Sequence, residues 1–172
     1  MAAFLASAIS FGVIFLFGCV GEILTEKSGH LNLGIPGIMC MGAAGGCFGV
    51  KIYVMGTETP NGALTVILGI LFAMIFAGAL GAIYAFLTVS LRCNQNVTGL
   101  ACTIFGVGFT SFFINNVVMT EGVSAKLSLA GRNFFNAHIP GAENLGWFGT
   151  IFCSHGTLVY LGIAIAVAAA IV

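Results

Sequence analysis

The sequence predicts an all-α protein, a polytopic transmembrane helical bundle of about five membrane segments. Three observations predict it. Of 172 residues, 59% are apolar and 6% are charged, where an ordinary soluble domain is roughly 25% charged. Mean hydropathy is +1.13. The charged residues are Glu22, Glu26, Lys27, Lys51, Glu58, Arg92, Glu121, Lys126, Arg132 and Glu143, and they leave charge-free runs 1–21, 28–50, 59–91, 93–120 and 144–172. Each run exceeds the roughly 18 residues that suggest a spanning helix. Runs such as LGILFAMIFAGAL lack the alternation that a membrane β-barrel requires.

The first segment, about residues 3–24, lacks the basic n-region of a secretory signal and is too long for one, so it reads as a retained anchor. A polar, glycine-rich break covers 25–36. A shorter apolar segment follows over 37–55 and ends at the turn GTETPNG, which contains Pro60. A long helix is expected over 62–91, then the polar interruption RCNQN, then a helix over 97–119. Residues 120–150 form the sizeable extramembrane loop, with Pro140 and with Trp147 where an interfacial aromatic sits.

The last run starts near Thr157 and reaches Val172. It provides about 24 Å of helix at ~1.5 Å per residue, against a core of ~30 Å, so the expectation is a fragment of a longer product. Lys27 and Arg92 fall on one side and Lys51, Lys126 and Arg132 on the other, a split too even for the positive-inside rule to orient the chain.

Within the long helix Gly69, Ala73, Ala77, Gly81 and Ala85 recur every four residues. Small residues let helix backbones approach closely in lipid, so the stripe predicts packing within the bundle or a homodimer seam. The stretch GHLNLGIPGIMCMGAAGG, residues 29–46, concentrates glycine beside Pro36. Glycine costs about 1 kcal/mol and proline about 3 kcal/mol relative to alanine inside a helix. Composition leaves two readings open: an extramembrane turn leading into the next helix, or a broken or re-entrant element lining a path.

Enzymatic motifs are absent. There is no G-x-x-x-x-G-K-[ST] and no H-E-x-x-H, and no catalytic residue, metal or cofactor is expected. His30, His138 and His155 are scattered, and His155 with Cys153 has no third ligand. The six cysteines lie in or beside apolar segments and read as small hydrophobes. With zero net charge, nothing points to nucleic acid as a partner.

The polar groups that stand out lie at the ends of apolar runs. Glu22 sits either at headgroup level or toward a wet interior. Asn94, Gln95, Asn96 and Thr98 open a helix; capping accounts for one of them, and the remaining amides could meet a neutral, hydroxyl-rich solute. Asn115 and Asn116, at that helix's other end, could do the same, with an interfacial position as the favoured account.

GEILTEKSGHLNLGIPGIMCMGAAGG resembles the N-terminal signature of permease subunits of ABC importers, in the branch that handles simple sugars and nucleosides. The matching positions are Glu22, Lys27, Gly29, Asn32, Leu33, Gly34, Gly37, Met39, Gly42 and Ala43. A second block, AFLTVSLRCNQNVTGLACTIFGVG, resembles the family's next signature through Ala85, Leu87, Thr88, Arg92, Asn94, Gln95, Val97, Gly99, Leu100 and Gly106.

The resemblance implies an incomplete permease fold, with residues 1–172 as a single transmembrane permease domain truncated at its C-terminus. It implies a multi-pass protein of the bacterial inner (plasma) membrane, working with membrane lipid, a second permease subunit, a cytoplasmic ATP-binding subunit and an extracytoplasmic solute-binding protein or lipoprotein. It implies that Lys27 and Arg92 are cytoplasmic, with the N-terminus and 120–150 outside. Family members commonly carry glutamate where this chain has Pro36, and their ATPase-docking helix lies beyond the end of this chain.

The expected function is therefore an alternating-access permease driven by a partner ATPase. Asn32, Asn94, Gln95, Thr98 and Glu22 are the expected pathway or gating groups. Gly29, Gly34, Gly37, Gly42 and Gly99 are expected to shape the backbone, and the resemblance favours a functional break over a plain turn. A stand-alone secondary transporter or channel would need an ionisable relay, for which Glu22 is the candidate. A non-transporting assembly protein would rely on the small-residue stripe.

Overall fold

The computed structural model describes residues 2–58, 60–119 and 157–171. Helix α1 spans Ala2–Lys27, α2 Ile35–Gly56, α3 Gly62–Ala85, α4 Gln95–Phe113 and α5 Thr157–Ile171. Helices α3 and α4 each run on into one π-helical turn, Phe86–Ser90 and Ile114–Val118. Among the described residues four helices are long and apolar enough to cross a membrane, and α5 is a shorter apolar helix. The expected loop 120–150, with Pro140 and Trp147, and also Cys153, His138 and His155, lie outside the described residues.

Helix α2 is central, packed on α3 along its length and on α4. The break expected in the glycine-rich stretch falls in front of α2, over residues 28–34. From Ile35 onward the helix is unbroken, with Pro36 in its first turn, where the missing N–H costs nothing. Its twenty-two residues are long and apolar enough to span, and the interruption lies before this helix rather than within it.

Its glycines serve packing. A side chain at Gly45 would sit 2.6 Å from Phe76 Cβ, and one at Gly49 2.8 Å from Phe72 Cβ. These are seats for α3 phenylalanines. Beyond them Phe48, Phe76, Phe109 and Phe113 join α2, α3 and α4 in an aromatic cluster, with the Phe48 and Phe113 centroids 5.3 Å apart in an edge-on arrangement, a favoured geometry for ring pairs.

The stripe on α3 divides. Gly69, Ala73 and Ala77 face α2: a Cβ on Gly42 would lie 3.3 Å from Ala77 Cβ, and one on Gly46 would lie 3.5 Å from Ala73 Cβ. Gly81 has nothing within 4 Å and Ala85 is exposed, so these two do not extend the seam. The reason is helical phase. Four residues overshoot one turn by about 40°, and three such steps from Gly69 rotate Gly81 about 120° away. Eleven residues make close to three full turns, so Leu80 and Tyr84 take over the buried face that Gly69 and Ala73 began.

Helix α1 stands apart from this core. It packs chiefly on α5, where Gly162 lies against Phe17 and Val13. Its remaining faces carry Phe4, Phe11, Phe15 and Ile14 outward, the surface a lipid-facing helix presents. Cys19, Cys40, Cys47, Cys93 and Cys102 are free thiols; Cys102 is buried, while Cys19 and Cys93 are exposed.

Candidate functional site: the loop held by three helices

Residues 28–34 connect α1 to α2, and their shape follows from local chemistry. Gly29 adopts φ +83°, the left-handed conformation that closes a helix C-terminus. The amide of Gly29 donates to Glu26 O at 2.9 Å and that of His30 to Thr25 O at 3.2 Å, a Schellman pair that satisfies the last carbonyls of α1. The Asn32 side chain then accepts from the Gly34 amide at 2.9 Å and prepares the entry to α2.

What distinguishes the loop is where its other backbone groups go. The Leu31 amide donates to Gln95 Oε1 of α4 at 2.8 Å. The Leu31 carbonyl accepts from the Tyr84 hydroxyl of α3 at 2.7 Å. The Asn32 amide donates to Glu22 Oε1 of α1 at 3.1 Å. The Leu33 carbonyl accepts from the Thr103 hydroxyl of α4 at 2.7 Å. Four side chains from three helices thus bond the backbone of three consecutive residues that lie outside any helix.

Beneath the loop α2 crosses α4 on glycine. A Cβ on Gly37 would run into the Cys102 carbonyl oxygen, and one on Gly106 into the Gly37 carbonyl. One on Gly99 would lie 2.9 Å from the Leu33 amide nitrogen, and one on Gly34 would lie 2.9 Å from Asn32 Oδ1. Only glycine permits so close an approach of backbones.

The expected site residues therefore fall into different roles. Glu22, Asn32 and Gln95 meet at the loop. Asn94 is the N-cap of α4, its Oδ1 accepting from the Asn96 and Val97 amides at 3.0 and 3.3 Å. Thr98 is buried and lines a separate cavity of about 440 Å³ between α3 and α4, with Leu80, Cys93 and Phe105. Gly29, Gly34, Gly37 and Gly99 shape the loop and the crossing beneath it, whereas Gly42 belongs to the α2–α3 seam.

Sequence reasoning missed Tyr84 and Thr103. Each carried a usable signal: Tyr84 lies eleven residues beyond Ala73 on the buried face of α3, and Thr103 is one turn after Gly99.

The turn at residues 91–94 lies at the same end of the bundle, since Gln95 bonds Leu31. There Arg92 takes φ +52° and the Cys93 amide reaches back to Leu87 O at 3.0 Å. Lys27 and Arg92 thus share one side. At the opposite end the Lys51 ammonium donates to the Val117 carbonyl, and Asn61 caps α3 through Ala63 N at 3.0 Å.

A groove of about 770 Å³ runs between α1 and the start of α2, lined among others by Phe15, Glu22, Glu26, Asn32 and Met39. Glu22 Oε2 is buried without a hydrogen-bond partner. No group of three metal-ligating side chains is found among the described residues.

Apolar spanning helices around a glycine crossing, with a polar loop held at one end, define a multi-pass helical membrane protein. The chain belongs to the family described as branched-chain amino acid transport system / permease component, which it matches over residues 4–172. It is similar to a putative glucose ABC transporter permease protein of Haloferax volcanii, 37% identical over 112 residues that make up 65% of this chain and 31% of that one. It is also similar to a guanosine ABC transporter permease protein of Bacillus subtilis, 27% identical over 78% of this chain and 40% of that one. A nucleoside ABC transporter permease protein of Lactococcus lactis is 24% identical over 95% of this chain and 49% of its own length. The chain thus spans about a third to a half of the relatives it matches. No solved structure matches it.

Proposed function

We propose that this chain forms part of a permease subunit of an ATP-driven importer that carries a simple sugar or nucleoside across the bacterial inner (plasma) membrane. Residues 1–172 act as one transmembrane permease domain. ATP is hydrolysed on a separate cytoplasmic ATP-binding subunit. A second permease subunit completes the pathway, and an extracytoplasmic solute-binding protein or lipoprotein delivers the solute. Family membership and relatives named for glucose, guanosine and nucleosides support this reading.

The observation that carries the mechanism is the loop at Leu31–Leu33, whose backbone is held at once by α1, α3 and α4. Alternating access needs two packings of the bundle that a partner can bias. A loop bonded to three helices cannot keep all four bonds when any of them shifts, so its bonds exchange as the bundle moves between states. Glu22, Asn32 and Gln95 then act as gating groups, Asn94 fixes the start of α4, and Thr98 faces the cavity between α3 and α4.

The test is uptake of labelled glucose, guanosine and leucine in cells lacking the full-length gene, with and without a plasmid copy. Glucose or guanosine uptake should depend on the gene and on ATP. Uptake of both that is unchanged by the deletion overturns the proposal.

A further inference from the structure

The helices meet in two different ways. Where α2 lies on α3 and α4, backbone meets backbone. A Cβ on Gly45 would sit 2.6 Å from the Phe72 carbonyl oxygen, one on Gly99 would sit 2.9 Å from the Leu33 amide nitrogen, and one on Gly106 would run into the Gly37 carbonyl. Surfaces interlocked so closely do not deform continuously. Where α1 lies on α2, the contacts are side-chain ends. A Cβ on Gly18 would meet Met39 Sδ at 2.9 Å, and one on Gly21 would meet Ile35 Cδ1 at 3.6 Å. A thioether on an unbranched stem adapts readily to a shifted neighbour. Beside these contacts the two helices are separated by the groove of about 770 Å³.

The chain between α1 and α2 changes allegiance at one peptide. The His30 amide bonds back to Thr25 O, so the chain up to His30 belongs to α1. The next amide, Leu31, bonds to Gln95 of α4, and the Leu31 carbonyl accepts from Tyr84 of α3. Any rotation of α1 therefore falls on the torsions between these two amides, the kind of element-terminal position that absorbs domain motion. Of the four bonds that hold the loop, those from Gln95, Tyr84 and Thr103 stay within α2, α3 and α4. The fourth crosses to α1, where Glu22 Oε1 accepts from the Asn32 amide at 3.1 Å.

We infer that α1, with α5 packed on it, moves as one arm against a rigid core of α2, α3 and α4, turning at His30–Leu31, and that the Glu22–Asn32 bond is the latch between them. This rests on the permease reading and names which of the four loop bonds exchanges during alternating access. The other three travel with the core.

The experiment measures distances by pulsed electron paramagnetic resonance in the complete transporter, reconstituted in vesicles, with and without ATP and vanadate. Gly12 on α1, Gly78 on α3 and Gly108 on α4 each have nothing within 4 Å of a Cβ, so Gly12→Cys, Gly78→Cys and Gly108→Cys accept a nitroxide without disturbing packing. The native cysteines are replaced by alanine. The distance between positions 12 and 78 should shift with nucleotide by more than about 2 Å, the scale of a rearrangement rather than a side-chain adjustment. The distance between positions 78 and 108 should not. Glu22→Ala should move the nucleotide-free distribution between positions 12 and 78 toward the ATP-bound one.

A second measurement needs no label. Cys19 of α1 and Cys40 of α2 both line the groove, and a short bifunctional thiosulfonate joining them, the other cysteines replaced, should lower uptake at least tenfold until it is reduced. Gly46→Cys with Ala73→Cys places two Cβ atoms 3.5 Å apart across α2 and α3, close to the ~3.5–4.5 Å of a disulfide, and that bridge should leave uptake within twofold. ATP-driven uptake with positions 12 and 78 unmoved, or uptake retained with Cys19 and Cys40 joined, overturns the arm. A core bridge that stops uptake overturns the rigid core, and a distribution unchanged by Glu22→Ala overturns the latch. Uptake indifferent to ATP in the same vesicles overturns the permease reading instead, and the inference with it.

Discussion

The hydroxyl of Tyr84 donates to the carbonyl oxygen of Leu31 at 2.7 Å, across 53 positions of the chain. Tyr84→Phe keeps the buried ring and removes only the donor, leaving a carbonyl without its partner. The expected cost is about 1–3 kcal/mol, read as a lower melting temperature in detergent. Uptake should fall as well, because the loop no longer follows α3. An unchanged melting temperature would mean that Gln95, Glu22 and Thr103 hold the loop without it.

At the crossing of α2 and α4 there is no room for a methyl group. Gly37→Ala or Gly106→Ala should destabilise by about 1–3 kcal/mol, the usual cost of overpacking. Gly108 has nothing within 4 Å, so Gly108→Ala should be neutral or stabilising by up to about 1 kcal/mol through helix propensity. Denaturant titrations of the three variants side by side check the contrast.

Asn94 separates capping from solute contact. Asn94→Ala removes the acceptor for two amides and should cost about 1 kcal/mol. Asn94→Ser keeps a capping oxygen and should restore both stability and uptake. Restored stability with uptake still lost would instead assign Asn94 a contact with the solute.

The two ends of the α3 stripe should respond in opposite ways. Ala77→Leu drives a branched side chain into Gly42 and should cost about 1–3 kcal/mol. Gly81→Leu enters open space and should be neutral or stabilising by up to about 1 kcal/mol through helix propensity. Thermal unfolding of each variant measures this, and equal losses would place a further helix against Gly81.

Pro36→Glu tests the one position where the expected signature is missing. Pro36 is exposed in the first turn of α2, where an acidic residue is favourable beside the helix dipole. The fold should hold within about 0.5 kcal/mol while uptake changes. Identical transport would show the position to be incidental.

The helices could be read from the sequence because charge-free runs and membrane thickness leave few choices. Helix α1 extends to Lys27 rather than 24, since Gly29 sets the stop. That one of Asn94, Gln95, Asn96 and Thr98 caps a helix was legible, because a cap is local chemistry, but the helix expected from 97 starts at Gln95 and Asn94 is its cap. The bonds that hold the loop were not legible. Glu22 to Asn32 spans 10 positions, Tyr84 to Leu31 spans 53 and Thr103 to Leu33 spans 70, and no periodicity records a bond between helices. The stripe at Gly69 was legible only as far as its four-residue spacing stays in phase with the helix. Gly69, Ala73 and Ala77 lie against α2, while Gly81 and Ala85 are rotated off that face.

The partners of the loop are not made together. Glu22 leaves the ribosome before Leu31, but Tyr84 follows it by 53 residues, Gln95 by 64, and Thr103 follows Leu33 by 70. The hairpin of α1 and α2 therefore enters the bilayer with Leu31 and Leu33 still bonded to water. Insertion of α3 replaces the water at one carbonyl, and only the arrival of α4 replaces the rest. The last of these helices to be synthesised is the bolt that locks the first turn of the chain.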